Sequence, residues 1–186
     1  TDLAYSTGNA LCQLKENPKV IIGRDTRPSG EKISKAIIQG LINGGAEVFN
    51  VGIVPTSAIS YLTKKLGLDY GIVITASHNP KEYNGIKVFG NSGVKITDAE
   101  EIKIESKLKS EISSPGGKVL NLSAEVKAYE EFLKNSIKTN LNGLKILLDC
   151  ANGASSKIAP KIFKMLGADV KAINIKGEIN NNCGAT

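Results

Sequence analysis

The sequence has 186 residues, of which 41% are hydrophobic and 23% charged, proportions typical of a globular protein with a buried core. No apolar run approaches the roughly 18–20 residues that a transmembrane helix needs, and no segment resembles a secretory signal, so no membrane partner is expected. The net charge of +6 favours an anionic partner. Because the chain has no Trp and no nucleic-acid-binding signature, we expect a phosphorylated metabolite and no nucleic acid.

Short apolar runs alternate along the chain with segments of helical periodicity. The β-branched run at residues 19–23 predicts a buried strand, and apolar residues at 33, 37 and 41 predict a helix that Gly44 and Gly45 end. The predicted strands cover residues 19–23, 47–51, 71–75, 86–89, 145–149 and 168–173. The predicted helices cover about 3–14, 33–43, 56–66, 97–108, 125–137 and 158–166.

Two local signals subdivide this order. Thr97 and Glu100 form a capping box that starts a helix, and the Ser- and Gly-rich residues 113–117 break the pattern. Strands that alternate with helices predict an α/β fold with crossover connections. We place a domain boundary near residue 138, so residues 1–138 form one domain and residues 139–186 are too few to complete a core alone.

The cysteine and histidine content limits the chemistry. The cysteines Cys12, Cys150 and Cys183 are odd in number and widely spaced, which excludes a disulfide framework and favours a reducing cytoplasm. None has a basic partner nearby in sequence, so we expect packing roles rather than nucleophilic ones. Because His78 is the one histidine, a multi-histidine metal site is excluded.

The segment richest in chemistry is the loop at residues 75–80, Thr-Ala-Ser-His-Asn-Pro, with the returning residues 83–87. It leaves the carboxyl end of a predicted strand, where open α/β sheets place their ligands. Pro80 stops the strand, and Asn84 with Gly85 turns the chain back. The loop is therefore the first candidate for a functional site.

These residues carry a resemblance to a known family. Residues 75–80 resemble the phosphoserine loop of the α-D-phosphohexomutase superfamily, and residues 84–87 resemble its Asn-Gly-x-Lys segment. Three further segments match in the same order: 24–30, 52–56 and 148–154. The resemblance implies an α/β fold, a mixed sheet with flanking helices, that forms the superfamily's first domain and the beginning of a second similar domain.

Within the superfamily the sequence is most similar to the bacterial phosphoglucosamine mutases, through residues 89–95, 149–154 and 179–186. This resemblance implies interconversion of glucosamine 6-phosphate and glucosamine 1-phosphate through a phosphoserine enzyme and a bisphosphate intermediate. It also implies a hexosamine phosphate substrate, a role in supplying peptidoglycan precursors and a cytoplasmic location, and it leaves a homodimer open.

The resemblance implies that Ser77 carries the phosphoryl group and is catalytic. A free serine hydroxyl is a poor nucleophile, whereas a group already held there is a donor in place, with about −1.5 to −2 charges. The family neutralises that charge with Mg²⁺, bound by the phosphoserine and three aspartates of an Asp-Gly-Asp-Gly-Asp loop. This chain lacks the loop, so Ser77 would offer the metal only its phosphate.

Three more site residues follow from the resemblance, each with a plainer alternative. Lys87 is expected to act as an acid/base or electrostatic catalyst, or else is a surface lysine. His78 is expected to contact phosphate or substrate, or else holds the loop in shape. Arg27, before a helix start, is expected to bind phosphate, or else forms a structural salt bridge with Asp25.

The sequence also departs from the family. An amino-terminal Gly-x-x-Gly-x-Arg loop, the metal loop and the later domains are missing, so we expect a fragment that turns over little or no substrate. The alternatives are a phosphomannomutase/phosphoglucomutase with the same chemistry on another sugar, a non-catalytic sugar-phosphate-binding module, and a basic nucleic-acid binder. Serine hydrolysis is disfavoured because no Gly-x-Ser-x-Gly elbow surrounds Ser77.

Overall fold

The computed structural model describes residues 1–184; Ala185 and Thr186, which end the last segment of the resemblance, lie outside the described residues. The elements in chain order are α1 (Asp2–Leu14), β1 (Lys19–Arg24), α2 (Gly30–Asn43), β2 (Glu47–Ile53), α3 (Thr56–Lys65), β3 (Tyr70–Ile74), β4 (Ile86–Gly90), α4 (Asp98–Lys107), β5 (Lys118–Asn121), α5 (Val126–Ser136), β6 (Lys145–Asp149), α6 (Ile158–Met165) and β7 (Asp169–Ile173). Every strand and helix that the sequence predicts is present, and none of these helices is long and apolar enough to cross a bilayer.

Five strands form a mixed sheet in the order β4-β3-β1-β2-β5. Strand β1 is central and parallel to β2 and β3, whereas β4 returns antiparallel to β3. The predicted mixed sheet with flanking helices is therefore confirmed. The sequence does not predict β5, because its four residues are all exposed and carry no core-facing alternation.

The sheet buries both faces, and alternate residues of its central strands point to opposite sides. Val20 and Ile22 of β1 pack with α1, α2 and α4, while Ile21 packs with α3, α5 and α6. Cys12 belongs to the first of these cores, and burial raises the pKa of its thiol to about 11. The packing role expected for this cysteine is confirmed, since a protonated, buried thiol is inert.

Residues 139–184, here called the second unit, contain a separate two-stranded parallel sheet of β6 and β7 with α6 beside it. Helix α5 packs against both α3 and α6, and Tyr129 of α5 shares one core with Ile158 and Ile162 of α6. Leu147 and Ile175 of the second unit are more than half exposed. The second unit thus sits against the first through α5, and the boundary near residue 138 stays a prediction.

Helices α1 and α2 cross in contact at two glycines. A Cβ atom on Gly40 would lie 2.0 Å from the carbonyl oxygen of Tyr5, and one on Gly8 would lie 2.3 Å from that of Ile37. Because backbone atoms cannot yield as side chains do, each position excludes any residue other than glycine without a shift of the helix. This crossing fixes α2, which begins directly after the loop that contains Arg27.

We predict that Gly40→Ala lowers the free energy of unfolding by about 1–3 kcal/mol, because the added methyl forces the two helices apart. The loss should appear although alanine favours a helix over glycine by about 1 kcal/mol. Urea unfolding followed by circular dichroism measures it. Gly90→Ala is the matched control, because a Cβ there meets no atom within 4 Å, and an equal loss in both variants would contradict the prediction.

Candidate functional site

The loop at residues 75–85, called the Ser77 loop below, connects β3 to β4 at the carboxyl end of β3. Its base is closed by the backbone bond from Thr75 N to Gly85 O, 3.0 Å. Ser77 has a left-handed backbone, φ 57°, and an exposed side chain. That conformation costs a non-glycine residue about 1–2 kcal/mol, so the surrounding contacts must hold Ser77 in place.

Asp25 anchors this loop to the central strand. It follows β1 directly, is buried, and accepts a hydrogen bond from Thr75 Oγ1 at 2.7 Å on Oδ2. Thr75 Oγ1 in turn accepts from the backbone N–H of Ser77 at 3.0 Å. Arg27 donates its backbone N–H to Oδ1 and its Nε–H to Oδ2 of the same carboxylate. Both carboxylate oxygens are therefore engaged in holding the site together.

The Arg27 side chain is fully buried beneath the Ser77 loop. A guanidinium has five N–H donors, and here all five have acceptors. The acceptors are Asp25 Oδ2 for Nε, Pro80 O and Tyr83 O for Nη1, and Ser77 O and Asn79 O for Nη2, with distances of 2.8–2.9 Å for the bonds to Asp25, Tyr83, Ser77 and Asn79.

The contacts of Arg27 match the plainer alternative that the sequence left open for it. No donor of Arg27 is left for a phosphate, because the loop carbonyls and Asp25 use every N–H. The alternative, a structural salt bridge with Asp25 at 2.9 Å, is what the structure contains. Arg27 therefore shapes the Ser77 loop, and its contact with a phosphate stays a prediction, one that would require it to give up one of these acceptors.

Ser77 lies at a cavity of about 250 Å³ on one face of the sheet. Its lining comes from strand β3, the loops after β1, β2 and β3, the start of α3, and the second unit. The lining residues are Asp25, Val54, Pro55, Thr56, Val73, Thr75, Ser77, Gly153, Ala154, Ile179 and Asn180. Pro55, which precedes α3, provides no side-chain cap, and Pro55 and Thr56 both line the cavity, so the positive end of the α3 dipole favours an anion there.

Lys87 lies on the cavity's face of the sheet. It pairs with Val73 in the antiparallel β3–β4 ladder, and paired residues point to the same side. Val73 lines the cavity. Lys87 is half-buried, and its ammonium makes no ion pair within residues 1–184. Lys87 thus lies on the face of the sheet that borders the cavity, although it is not among the residues that line the cavity.

His78 occupies a different position from these residues. It is exposed beside Ser77, and within the described part of the chain no hydrogen bond ties its ring to the loop. His78 is therefore accessible to a ligand, although it is not among the residues that line the cavity. A larger, mostly apolar cavity of about 540 Å³ lies between α1, α4 and β4, and Ser77, His78 and Lys87 do not line it.

The second unit contacts the Ser77 loop directly. Asn180 Nδ2 donates to Ser77 O and to Asn79 O, both at 3.1 Å, and Lys81 forms an ion pair with Glu178. The Lys81 ammonium lowers the pKa of Glu178, while Glu178 raises the pKa of Lys81. Sequence reasoning missed these contacts, because no spacing rule relates residues about a hundred positions apart. The one available signal was the match of residues 179–186 to a family segment.

Comparisons with known proteins agree with this geometry. A family model described as phosphoglucomutase/phosphomannomutase, alpha/beta/alpha domain I, matches residues 1–114. The whole chain is 45% identical over 199 residues to a phosphoglucosamine mutase of Clostridioides difficile and 46% identical over 200 residues to one of Clostridium kluyveri. It covers 44% of each, so the chain spans less than half the length of these relatives.

Solved structures give the same fold. A phosphoglucomutase/phosphomannomutase family protein from Burkholderia thailandensis superposes with a TM-score of 0.82 at 27% identity. The match covers 96% of this chain and 41% of the Burkholderia chain. It therefore includes both the five-stranded sheet and most of the second unit, and so extends beyond the residues that the family model matches.

We predict that Arg27→Lys lowers the free energy of unfolding by about 2–3 kcal/mol, because lysine has three donors in place of five and leaves acceptors unpaired. Chemical denaturation measures this loss. Arg24→Lys is the matched control, since Arg24 makes one hydrogen bond, from Nη1 to Asp25 O at 3.1 Å, and reaches the exposed Glu31 only at 3.9 Å, so the change should cost less than about 1 kcal/mol. Equal losses in the two variants would refute the role assigned to Arg27.

Proposed function

Because this chain belongs to the phosphoglucomutase/phosphomannomutase family, we propose that it is the part of a phosphosugar mutase that carries the transferred phosphoryl group, on Ser77. The reaction is the interconversion of glucosamine 6-phosphate and glucosamine 1-phosphate through a bisphosphate intermediate. The relatives named phosphoglucosamine mutase support this choice of sugar.

The observation that carries the proposal is the placement of Ser77. Its side chain is exposed at a cavity, while its backbone is held in a left-handed conformation by buried groups. A phosphoryl donor needs this combination: access for the substrate, and a fixed position that brings the reacting atoms into line. A loop serine without function would have no need of the buried Asp25 and Arg27 beneath it.

In the proposed cycle the free hydroxyl of the hexosamine phosphate attacks the phosphorus atom on Ser77. A new P–O bond to the sugar forms, the bond from phosphorus to Ser77 Oγ breaks, and the proton of the attacking hydroxyl ends on Ser77 Oγ, which leaves as a hydroxyl. Lys87 lies on the face of the sheet that borders the cavity. We propose that it acts as an acid/base catalyst or stabilises the charge of the transferring phosphoryl group. His78, which is exposed next to Ser77 in the sequence, is proposed to hydrogen-bond phosphate or substrate.

The bisphosphate then turns and returns its other phosphate to Ser77. The amino end of α3 borders the same cavity, so its N–H groups favour an anionic intermediate there. The net charge of +6 helps to keep a doubly phosphorylated sugar near the protein. A cytoplasmic location and a homodimer stay expectations.

Mg²⁺ is the proposed cofactor, and this chain supplies little of its site. Within residues 1–184 no group of three or more His, Cys, Asp or Glu side chains could hold a metal ion. Asp25, the carboxylate that lines the cavity, already accepts hydrogen bonds on both oxygens. Only phosphate oxygens on Ser77 fit the preference of Mg²⁺ for hard ligands. When bound, the metal would neutralise phosphate charge, and its other ligands would come from outside this chain.

A phosphomannomutase/phosphoglucomutase activity is the second candidate, supported by the name of the Burkholderia protein. It uses the same chemistry at Ser77 and differs in the sugar alone. Parallel kinetics of the complete natural protein with glucosamine, mannose and glucose phosphates separate the two. A kcat/KM highest for mannose or glucose phosphate would replace the first candidate with the second.

The 186-residue chain by itself is expected to turn over little or no substrate, because it covers 44% of relatives that carry the named activity. A coupled assay of the purified chain at high concentration tests this expectation. Calorimetric binding of hexosamine phosphate without turnover would fit a part of a mutase that binds the substrate but cannot complete the reaction alone. Mutase turnover by the pure chain would contradict it.

We predict that intact-mass analysis of the complete natural protein finds a phosphate-sized addition that Ser77→Ala abolishes together with mutase activity. The reason is that, among the described residues, no other hydroxyl is both exposed at this cavity and fixed by buried hydrogen-bonding groups. Ser92→Ala, at an exposed turn, is the matched control and should keep both the added mass and the activity. If Ser77→Ala loses the added mass but keeps most of its turnover, the role of Ser77 is wrong.

A further inference from the structure

Two side chains from different parts of the chain bind the same two carbonyl groups of the Ser77 loop. Arg27 Nη2 donates to Ser77 O at 2.8 Å and to Asn79 O at 2.9 Å from the buried side. Asn180 Nδ2 donates to both, at 3.1 Å each, from the second unit. A carbonyl oxygen has two lone pairs, so each accepts both donors without conflict.

The residue at position 180 is suited to this contact for two reasons. Its backbone is left-handed, φ 56°, which asparagine tolerates better than most residues, and its own N–H donates to Ala151 O at 3.1 Å. A side-chain amide also offers two N–H groups on one nitrogen, which match two neighbouring acceptors. Aspartate would keep the backbone and the shape but would present only oxygen atoms to the two carbonyls.

We propose that Asn180 is a positioning residue for phosphoryl transfer, through which the second unit fixes the Ser77 loop from outside. This inference rests on the proposed function of Ser77. Arg27 fixes the Ser77 loop relative to β1. Asn180 adds its two hydrogen bonds only while the second unit is packed against the loop. The ion pair of Lys81 with Glu178 and the hydrogen bond from Thr26 Oγ1 to Asn152 O, 2.6 Å, hold the second unit in this position.

The test compares Asn180→Asp with Asn182→Asp in the complete natural protein. Asn182 is also left-handed, φ 49°, and is exposed, so the second variant makes the same change of charge two residues away without a hydrogen bond to the loop in the described structure. Asn180→Gly is a third variant, which removes the donors at a φ that glycine adopts freely. Thermal unfolding verifies that all three fold.

Two readouts distinguish positioning from other roles. Hydrogen exchange of the peptide spanning residues 76–83 should speed up about tenfold in both Asn180 variants, because two bonds to the loop are lost. Mutase kinetics should show kcat lower by about 10–100-fold with KM changed by less than about threefold, since a displaced donor costs the transition state and spares ground-state binding. Asn182→Asp should stay within about twofold of the parent in both.

Each other result counts against the inference. Unchanged exchange and kcat in the Asn180 variants would show that the contact does not position the loop. A rise in KM alone would make Asn180 a substrate-binding residue, and equal losses in Asn182→Asp would reduce the effect to added negative charge. If the parent protein carries no phosphate on Ser77, the proposed function fails, while the exchange data still decide whether Asn180 fixes the loop.

Discussion

The site depends on a buried charge pair that is also a junction of hydrogen bonds. Arg27 and Asp25 lie in the interior, where two ions lose several kcal/mol of hydration each, and their mutual attraction repays this only if the remaining polar atoms are satisfied. Here the guanidinium fork reaches four loop carbonyls besides the carboxylate. A lysine or an apolar side chain could not bind all five acceptors, so much of the loop's conformation depends on this one side chain.

For the proposed function, the consequence is preorganisation. Hydrogen bonds with Thr75 and the groups beneath it hold Ser77 in an unfavourable left-handed backbone conformation. Its hydroxyl remains exposed to solvent. Interior groups provide rigidity, and the exposed side chain provides access. A phosphoryl donor held in this way does not have to be ordered again at each encounter with substrate, which is where positioning gains rate.

The cavity beside Ser77 belongs to two parts of the chain. The loop after β3 supplies Thr75 and Ser77, and the second unit supplies Gly153, Ile179 and Asn180. Helix α5 joins the two through an apolar core, whereas the contacts at the cavity itself are polar. Apolar packing therefore brings the units together, and hydrogen bonds determine where the loop stands between them.

Much of this could be anticipated from local pattern. Apolar periodicity located the helices and all strands except β5, since buried faces impose a period of 2 or 3.6 on any sequence. Thr97 and Glu100 form the predicted capping box, because both partners lie within one turn. The chemical character of residues 75–80 was equally visible, as it depends on residue types that stand together in the chain.

The tertiary structure alone decided what Arg27 does. The residue type of Arg27 and its position before a helix suggested an anion site. Its guanidinium instead donates to carbonyl groups of a loop about fifty residues away. The same holds for Asn180, whose acceptors lie about a hundred residues earlier. The sequence by itself determined the elements and the polar loop at residues 75–80, because these follow from neighbours along the chain. Which donor meets which acceptor follows from the packing of the sheet and the second unit, and no local rule contains that packing.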